Sequence, residues 1–341
     1  MPKVVREARR YGKGAAVLTG KSMSTTHETD AFVTVRDFFR WAVSRFNAAD
    51  LAYGHGTEDA LDEAAFIVLE TLRLPVDRLD PFLDARLTPA ERTRLAAIID
   101  ARVTTRRPAP YLVGAAYIQG VRFRSDERAL IPRSFIGEML CDGSLGPEAA
   151  GLVPDFDAVE SVLDIGTGSG CLAILAARLF PNARIDAVDI SAPALELATL
   201  NVADHRLGDR ISLFEGDLFA PLGDRRYDVI IANPPYVDAE AMRALPVEFR
   251  HEPANALAAG TDGLEIVHRI LAGAGRHLNA GGGLLCEVGR DGPALGAAYP
   301  DVDFLWLDSD ASSGEVFWLG ADVLPAIGGK APRRQRGRRP E

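Results

Sequence analysis

Cysteine is scarce in this chain: three in 341 residues, Cys141, Cys171 and Cys286, far apart and without a CxxC pair. That spacing excludes a disulfide framework and a cysteine-held metal, and three buried, reduced thiols are expected instead. Long apolar runs are missing too. None approaches the ~20 residues needed to span a bilayer. The chain opens on a basic stretch that lacks the apolar segment of a secretory signal. Positive charge is not in excess, and a formal net charge of −10 argues against a protein that coats nucleic acid. These absences together predict a cytoplasmic protein with no membrane partner and no metal.

What is present reads as several units along the chain, and the length allows more than one domain. Residues 1–31 carry Lys, Arg, Gly, Ser and Thr without periodicity and are expected to be a disordered extension. From residue 32 to 107 helical patterns take over. Thr34 and Asp37 have capping-box spacing, with Phe38, Phe39, Trp41, Ala42, Val43 and Phe46 following at helical period. A second helix over about 57–73 gathers Leu61, Ala64, Ala65, Val68, Leu69 and Leu72. The third opens on Thr88, Pro89 and Glu91: a cap, a proline at the first helical position and a returning carboxylate. Leu95, Ile98 and Ile99 follow at core spacing. Pro108 and Pro110 should break the helix, and two short strand-like runs around Gly120 predict a hairpin linker over 108–133.

Over 134–322 short apolar strands alternate with helical stretches: "SVLDIG", "RIDAVDI", "ISLFEGD", "YDVIIANPP", "GGLLCEVG", "DFLWLD" and "GEVFWLG". Such alternation builds an α/β, right-handed, doubly wound parallel sheet. The last two runs are separated by too little chain for a crossover, so they must pair antiparallel at one edge. A seven-stranded sheet with one reversed strand is expected. Residues 323–341, rich in Gly, Pro and Arg, read as a basic disordered tail.

Two motifs carry the chemistry. "VLDIGTGSGCLAI" (162–174) runs from a buried strand through Gly166, Gly168 and Gly170 into a helix, and such a turn lets backbone approach a ligand. A glycine trio alone also serves plain strand-to-helix connections. Here the next strand ends in Asp189, where a carboxylate can accept from both hydroxyls of a ribose. Asp217, one strand further, stands where a purine's exocyclic amine can donate. NAD stays open as a ligand. Its pyrophosphate, however, wants a GxGxxG turn, whereas Asp164 just before this GxGxG turn would repel a diphosphate and suits an ammonium group. The ligand inferred is S-adenosylmethionine. Its expected site is Asp164, Gly166, Thr167, Gly168, Gly170, Asp189, Asp217, Leu218 and Asn233.

The second motif is Asn233, Pro234, Pro235 and Tyr236 at the end of the next strand. Asn233 offers a side-chain carbonyl, and the backbone carbonyl at or before Pro234 a second acceptor. The prolines contribute no competing N–H. Two acceptors and no donors match a planar NH2 group, against whose flat face Tyr236 can lie. Such a nitrogen is a weak nucleophile because its lone pair is delocalised, so alignment is what the site must supply. The plainer reading, a strand stopped by proline, loses ground once the glycine turn and Asp189 stand beside it. An exocyclic amine of a nucleic-acid base is an alternative acceptor, disfavoured by the missing basic groove.

With "PAPYLVGAAYIQGVRF", "ALIPRS", "DIGTGSG", "NPPYVD", "HEPANALAAGTDGLEIVHRIL" and "EVG", the chain from about 32 to 320 resembles the class I methyltransferases, and specifically the protein-glutamine methyltransferases. One branch of that family modifies peptide chain release factors, the other the third large-subunit ribosomal protein. The ribosomal branch reads IPRSPI where this chain has "IPRSFI", so Phe135 departs from its pattern. "RDFFRWAVSRFNAADLAYGHGTEDALDEA" and "YPDVDFLWLDSDASSGEVFWL" resemble the ribosomal branch. The resemblance implies methylation of a glutamine in a Gly-Gly-Gln loop, with Asn233 to Tyr236 binding the glutamine. It places His251 and Glu252 beside the substrate channel, a surface histidine being the other reading, and leaves Glu287 as structural. Specificity is expected from the helices around Phe38, Trp41 and Phe46, and RNA contact from the basic tail, in ribosome assembly particles.

Overall fold

A computed structural model of the chain describes residues 28–148, 150–260, 263–308 and 313–324. The tail beyond 324 and most of the stretch 1–31 lie outside these residues. Residues 29–31, expected within a disordered extension, form a single 3-10 turn. Leu324, expected in the tail, is buried in the core.

The first three helices start where their caps dictate. Helix α1 (Val35–Ala48) opens on a complete capping box between Thr34 and Asp37. Helix α2 (Ala60–Leu72) is capped by Asp59, which accepts from the N–H groups of Leu61 and Asp62. Helix α3 (Pro89–Thr105) has the Thr88–Glu91 box and proline in its first turn. Phe38, Trp41, Phe46, Ile67, Val68, Leu95 and Ile99 fill the core between them. Phe38, Trp41 and Phe46 are at most 3% exposed, so they form that core, and any contact with a substrate falls to the residues around them.

Pro108 and Pro110 do not simply break the chain. Pro108 caps a short helix, α4 (Ala109–Val113), with Pro110 in its first turn, where the missing N–H costs nothing. The hairpin follows as β1 (Ala115–Ile118) and β2 (Val121–Arg124). Gln119 and Gly120 both have positive φ (46° and 74°), which the tight two-residue turn demands. A connecting segment then leads into α5 (Phe135–Asp142). Cys141, in the last turn of α5, is exposed, whereas Cys171 and Cys286 are buried as expected; all three are free.

The remaining strands are β3 (Ser161–Ile165), β4 (Arg184–Asp189), β5 (Ile211–Glu215), β6 (Tyr227–Ala232), β7 (Leu278–Glu287), β8 (Leu305–Asp308) and β9 (Ser313–Gly320). They form one sheet in the order β5-β4-β3-β6-β7-β9-β8, parallel except for β9, which runs antiparallel to both neighbours. Side chains of β6 alternate: Val229 and Ile231 enter one core, Ile230 and Ala232 the other. Burial on both faces is why its sequence is a continuous apolar run. Helices α5, α6 (Cys171–Leu179) and α7 (Ala192–Asp204) contribute to the first core. On the opposite face, past the short α8 (Ala239–Ala244), lie α9 (Glu265–Ala274) and α10 (Gly292–Ala298).

Candidate active site

Register alone brings the motif residues together. Ile165 of β3 pairs with Val188 of β4 and with Ala232 of β6, Ala232 pairs with Cys286 of β7, and Asp189 pairs with Glu215 of β5. One residue further along, Asp189, Gly166, Asn233 and Glu287 therefore stand in a single row at the carboxyl ends of four adjacent strands. In a doubly wound sheet this edge, where the strand order reverses, is where ligands bind.

On the β3–β4 side the turn is fixed by its backbone. The N–H groups of Gly166 and Thr167 donate to Val188 O at 2.8 and 3.0 Å, and Gly168 N–H donates to Asp189 Oδ2 at 2.8 Å. Asp189 Oδ1 accepts from Ser191 N–H at 2.8 Å. The half-buried carboxylate keeps spare lone pairs on both oxygens, and burial raises its pKa. A Cβ added at Gly166 or Gly168 would meet nothing within 4 Å, so the turn borders open space. Gly170 serves another purpose: it packs against Ala198, only 3.2 Å from where a Cβ would sit.

Asp164, expected to meet an ammonium group, is closed off beneath the turn at zero exposure. Its Oδ2 accepts from Thr167 Oγ1 at 2.6 Å and from Ala173 N–H at 3.0 Å, and desolvation pushes its pKa up to about 7. It holds the turn through Oδ2, and its Oδ1 has no hydrogen-bond partner among the described residues. Asp217, exposed two residues beyond the end of β5, takes a 2.6 Å ion pair from Arg269 on its Oδ2. Leu218 next to it sits in the left-handed region at φ 51° and packs its side chain against the core. Sequence reasoning missed Ile190, a large apolar side chain 65% exposed directly after Asp189. Its signal was available: an apolar residue one step past a strand's last residue. Close by, a cleft of about 760 Å³ opens between Asp126, Glu127, Arg128, Ser191, Pro193, Pro253 and Asn255.

On the β6–β7 side, Asn233 is half-buried and Pro234 buried. No hydrogen bond engages the Asn233 amide among the described residues. Tyr236 donates its hydroxyl to Glu287 Oε1 at 3.4 Å, and burial raises its pKa. Two buried glutamates pin the segment between β2 and α5 over this side. Glu252 accepts from Ile131 N–H at 3.1 Å and from both terminal nitrogens of Arg133 at 2.7 and 2.8 Å. Burial opposes ionisation there, but the His55 ring 3.5 Å away and the hydrogen bonds and charge of Arg133 outweigh it, holding the carboxyl down at about 2. Glu287 Oε2 accepts from Ser134 Oγ at 2.6 Å and from Phe135 N–H at 3.0 Å; with no cation paired to it among the described residues, desolvation pushes it up to about 7. His251, set beside Glu252 by the sequence reading, makes a contact to Thr105 O at 3.1 Å.

A family model for the methyltransferase small domain matches residues 139–292. The sheet, its ligand-binding edge and this match define an enzyme of the class I methyltransferases. A ribosomal protein uL3 glutamine methyltransferase of Bradyrhizobium diazoefficiens is 55% identical over 86% of this chain and 92% of its own length. Proteins of the same name from Burkholderia pseudomallei and Bordetella pertussis are each 52% identical, over 87% and 85% of this chain and 98% and 96% of theirs. The chain belongs to this family, the ribosomal protein uL3 glutamine methyltransferases. No helix among the described residues is long and apolar enough to cross a membrane.

Proposed function

We propose that the enzyme transfers a methyl group from S-adenosylmethionine to the side-chain amide nitrogen of a glutamine in a glycine-flanked loop of ribosomal protein uL3. The register that sets Asn233 beside Gly166, with Ile165 opposite Ala232, supports this reading, because it brings an unengaged amide next to an open glycine turn. The residues present fit the cofactor. Open space lies over Gly166 and Gly168, Asp189 has lone pairs left for ribose hydroxyls, and exposed Ile190 offers an apolar surface for a base. Bound there, the cofactor supplies an electrophilic methyl group. Asn233 and the carbonyl beside Pro234 accept the two amide hydrogens of the glutamine, and the prolines place no donor in competition. Fixing the nitrogen in this way supplies the alignment that a delocalised lone pair requires. Thr167, Gly170 and buried Asp164 keep the turn in shape, and Leu218 shapes the edge beyond Asp217.

The helical region over 32–107 reads the substrate through its exposed residues, joined by the 108–133 linker to the transferase region over 134–322. A ribosomal substrate implies the cytoplasm. The Arg-rich stretch from Lys330 to Arg339 lies outside the described residues; its charge, opposite in sign to that of the whole chain, supports contact with ribosomal RNA in assembly particles. The test incubates the enzyme and labelled cofactor with equal amounts of uL3 and release factor, then maps the label by mass spectrometry. Methylation of one uL3 glutamine, abolished when that glutamine becomes glutamate, is expected. Preferential labelling of the release factor overturns the substrate assignment.

A further inference from the structure

The Tyr236 ring is held at two places by residues of β7 and its exit. Its hydroxyl reaches Glu287 Oε1 at 3.4 Å, and its ring edge rests on Gly289, where an added Cβ would stand 2.9 Å from two ring carbons. Gly289 also has φ 55°, so the position favours glycine twice over. Glu287 is 1% exposed, and its other oxygen already takes Ser134 Oγ and Phe135 N–H. The carboxyl is thus the meeting point of the segment over the site and the tyrosine of the acceptor motif. Resting on the acceptor role given above to Asn233–Tyr236, we propose that Glu287 is a positioning residue for methyl transfer, which sets the Tyr236 ring against the glutamine amide through its phenol.

The chemistry gives this clasp two states. A proton on Glu287 can sit on Oε1, facing the phenol, or on Oε2, facing Ser134 Oγ, since a protonated carboxyl oxygen still accepts from the Phe135 N–H. Ionised, Oε1 accepts the phenol proton in a charge-assisted bond; neutral, the bond to the phenol is weaker whichever oxygen carries the proton. The carboxyl, lifted by desolvation to about 7, passes between these states near neutrality. The charged and titratable groups around it are Arg133 on the overlying segment, Tyr236 itself, Cys286 on the same strand, Glu315 on β9 and Asp291 beyond β7. Arg133 stays cationic, and burial pushes the Tyr236 and Cys286 protons on more firmly. Asp164 beneath the glycine turn is also near 7, so the Glu287 contribution must be read as a difference between variants.

The experiment compares wild type, Glu287→Gln, Tyr236→Phe and the double variant, measuring kcat and KM for the protein substrate across pH 7 and cofactor affinity by calorimetry. Glutamine at 287 directs its carbonyl to Phe135 and its NH2 to the phenol, freezing the neutral pattern. Expected is a kcat roughly fivefold to tenfold lower, the equivalent of one hydrogen bond, with KM and cofactor affinity unchanged and the rise of kcat through pH 7 reduced. Tyr236→Phe should do the same, and the double variant should be no worse than either single. Wild-type kcat with an unaltered pH profile in Glu287→Gln, or additive losses in the double variant, overturns the proposal. If Glu287→Gln does not fold, Tyr236→Phe decides it: a retained pH limb and wild-type kcat overturn it. Asn233→Ala separates the two readings. Collapse of Asn233→Ala beside a normal Glu287→Gln sinks the positioning role alone, whereas a fully active Asn233→Ala sinks both.

Discussion

The two halves of the ligand-binding edge are held by different means. On the β3–β4 side, carboxylates reach short distances along the chain: Asp164 to Thr167 and Ala173, Asp189 to Ser191 and Gly168, never more than 21 residues apart. On the β6–β7 side they reach much further. Glu252 meets Arg133 across 119 residues and Glu287 meets Ser134 across 153. One half is a local turn that its own strand–helix unit can shape. The other exists only once three distant stretches have assembled. The acceptor side should therefore respond to any loosening of the fold before the cofactor side does.

Arg133→Ala presses hardest on that contrast. It leaves Glu252 buried without its cation, and removing one partner of such a pair costs about 3–5 kcal/mol. Urea unfolding should show that loss, while the folded fraction keeps its cofactor affinity. A parallel fall in affinity would mean the two halves are one cooperative device. Asn233→Ala comes next, at about 2.7–4 kcal/mol of barrier, with stability and cofactor binding untouched, read from single-turnover rates. Asp189→Ala should do the reverse, weakening cofactor binding by about 1.5–3 kcal/mol. Calorimetric titration with unchanged affinity would remove Asp189 from the site.

The smallest effect is a pH slope. Glu287 rises from an ordinary 4.5 to about 7, so the folded state binds its proton more tightly than the unfolded chain. Its contribution to stability is complete below 4.5 and is lost as pH climbs through 7, at no more than about 1.4 kcal/mol per unit. Glu252, lowered from 4.5 to about 2, contributes fully above 4.5 and fails as pH falls towards 2. Melting temperatures across the 4.5–7 window should decline more steeply for wild type than for Glu287→Gln. Parallel curves would place the titration elsewhere.

What the sequence revealed follows the same division. Caps at Thr34 and Thr88, the strand runs, the glycine turn and NPPY are read within a few residues, and each forms where expected. What stays hidden is a side chain's distant partner. Nothing local shows that α6 closes over Asp164. Glu287 reads as structural, but which groups it joins is hidden, because Ser134 and Tyr236 lie 153 and 51 residues away. The helical period of Phe38, Trp41 and Phe46 marks them for the core, where they lie. Arg102, paired at zero exposure with Glu63, left no trace in local periodicity.

The buried carboxylate of Glu248 carries a consequence for biosynthesis. It accepts from the Ala52 N–H at 3.1 Å and pairs with Arg106 at 2.9 Å, joining the loop after the acceptor motif to helices made long before it. The Ala52 contact spans 196 residues, a wait of roughly 10–40 s at ordinary elongation rates. Through that interval the emerging chain can build its first helices but lacks the residue that docks the later loop upon them. The nascent enzyme is inert by construction, and its acceptor pocket is among the last features of the molecule to come into being.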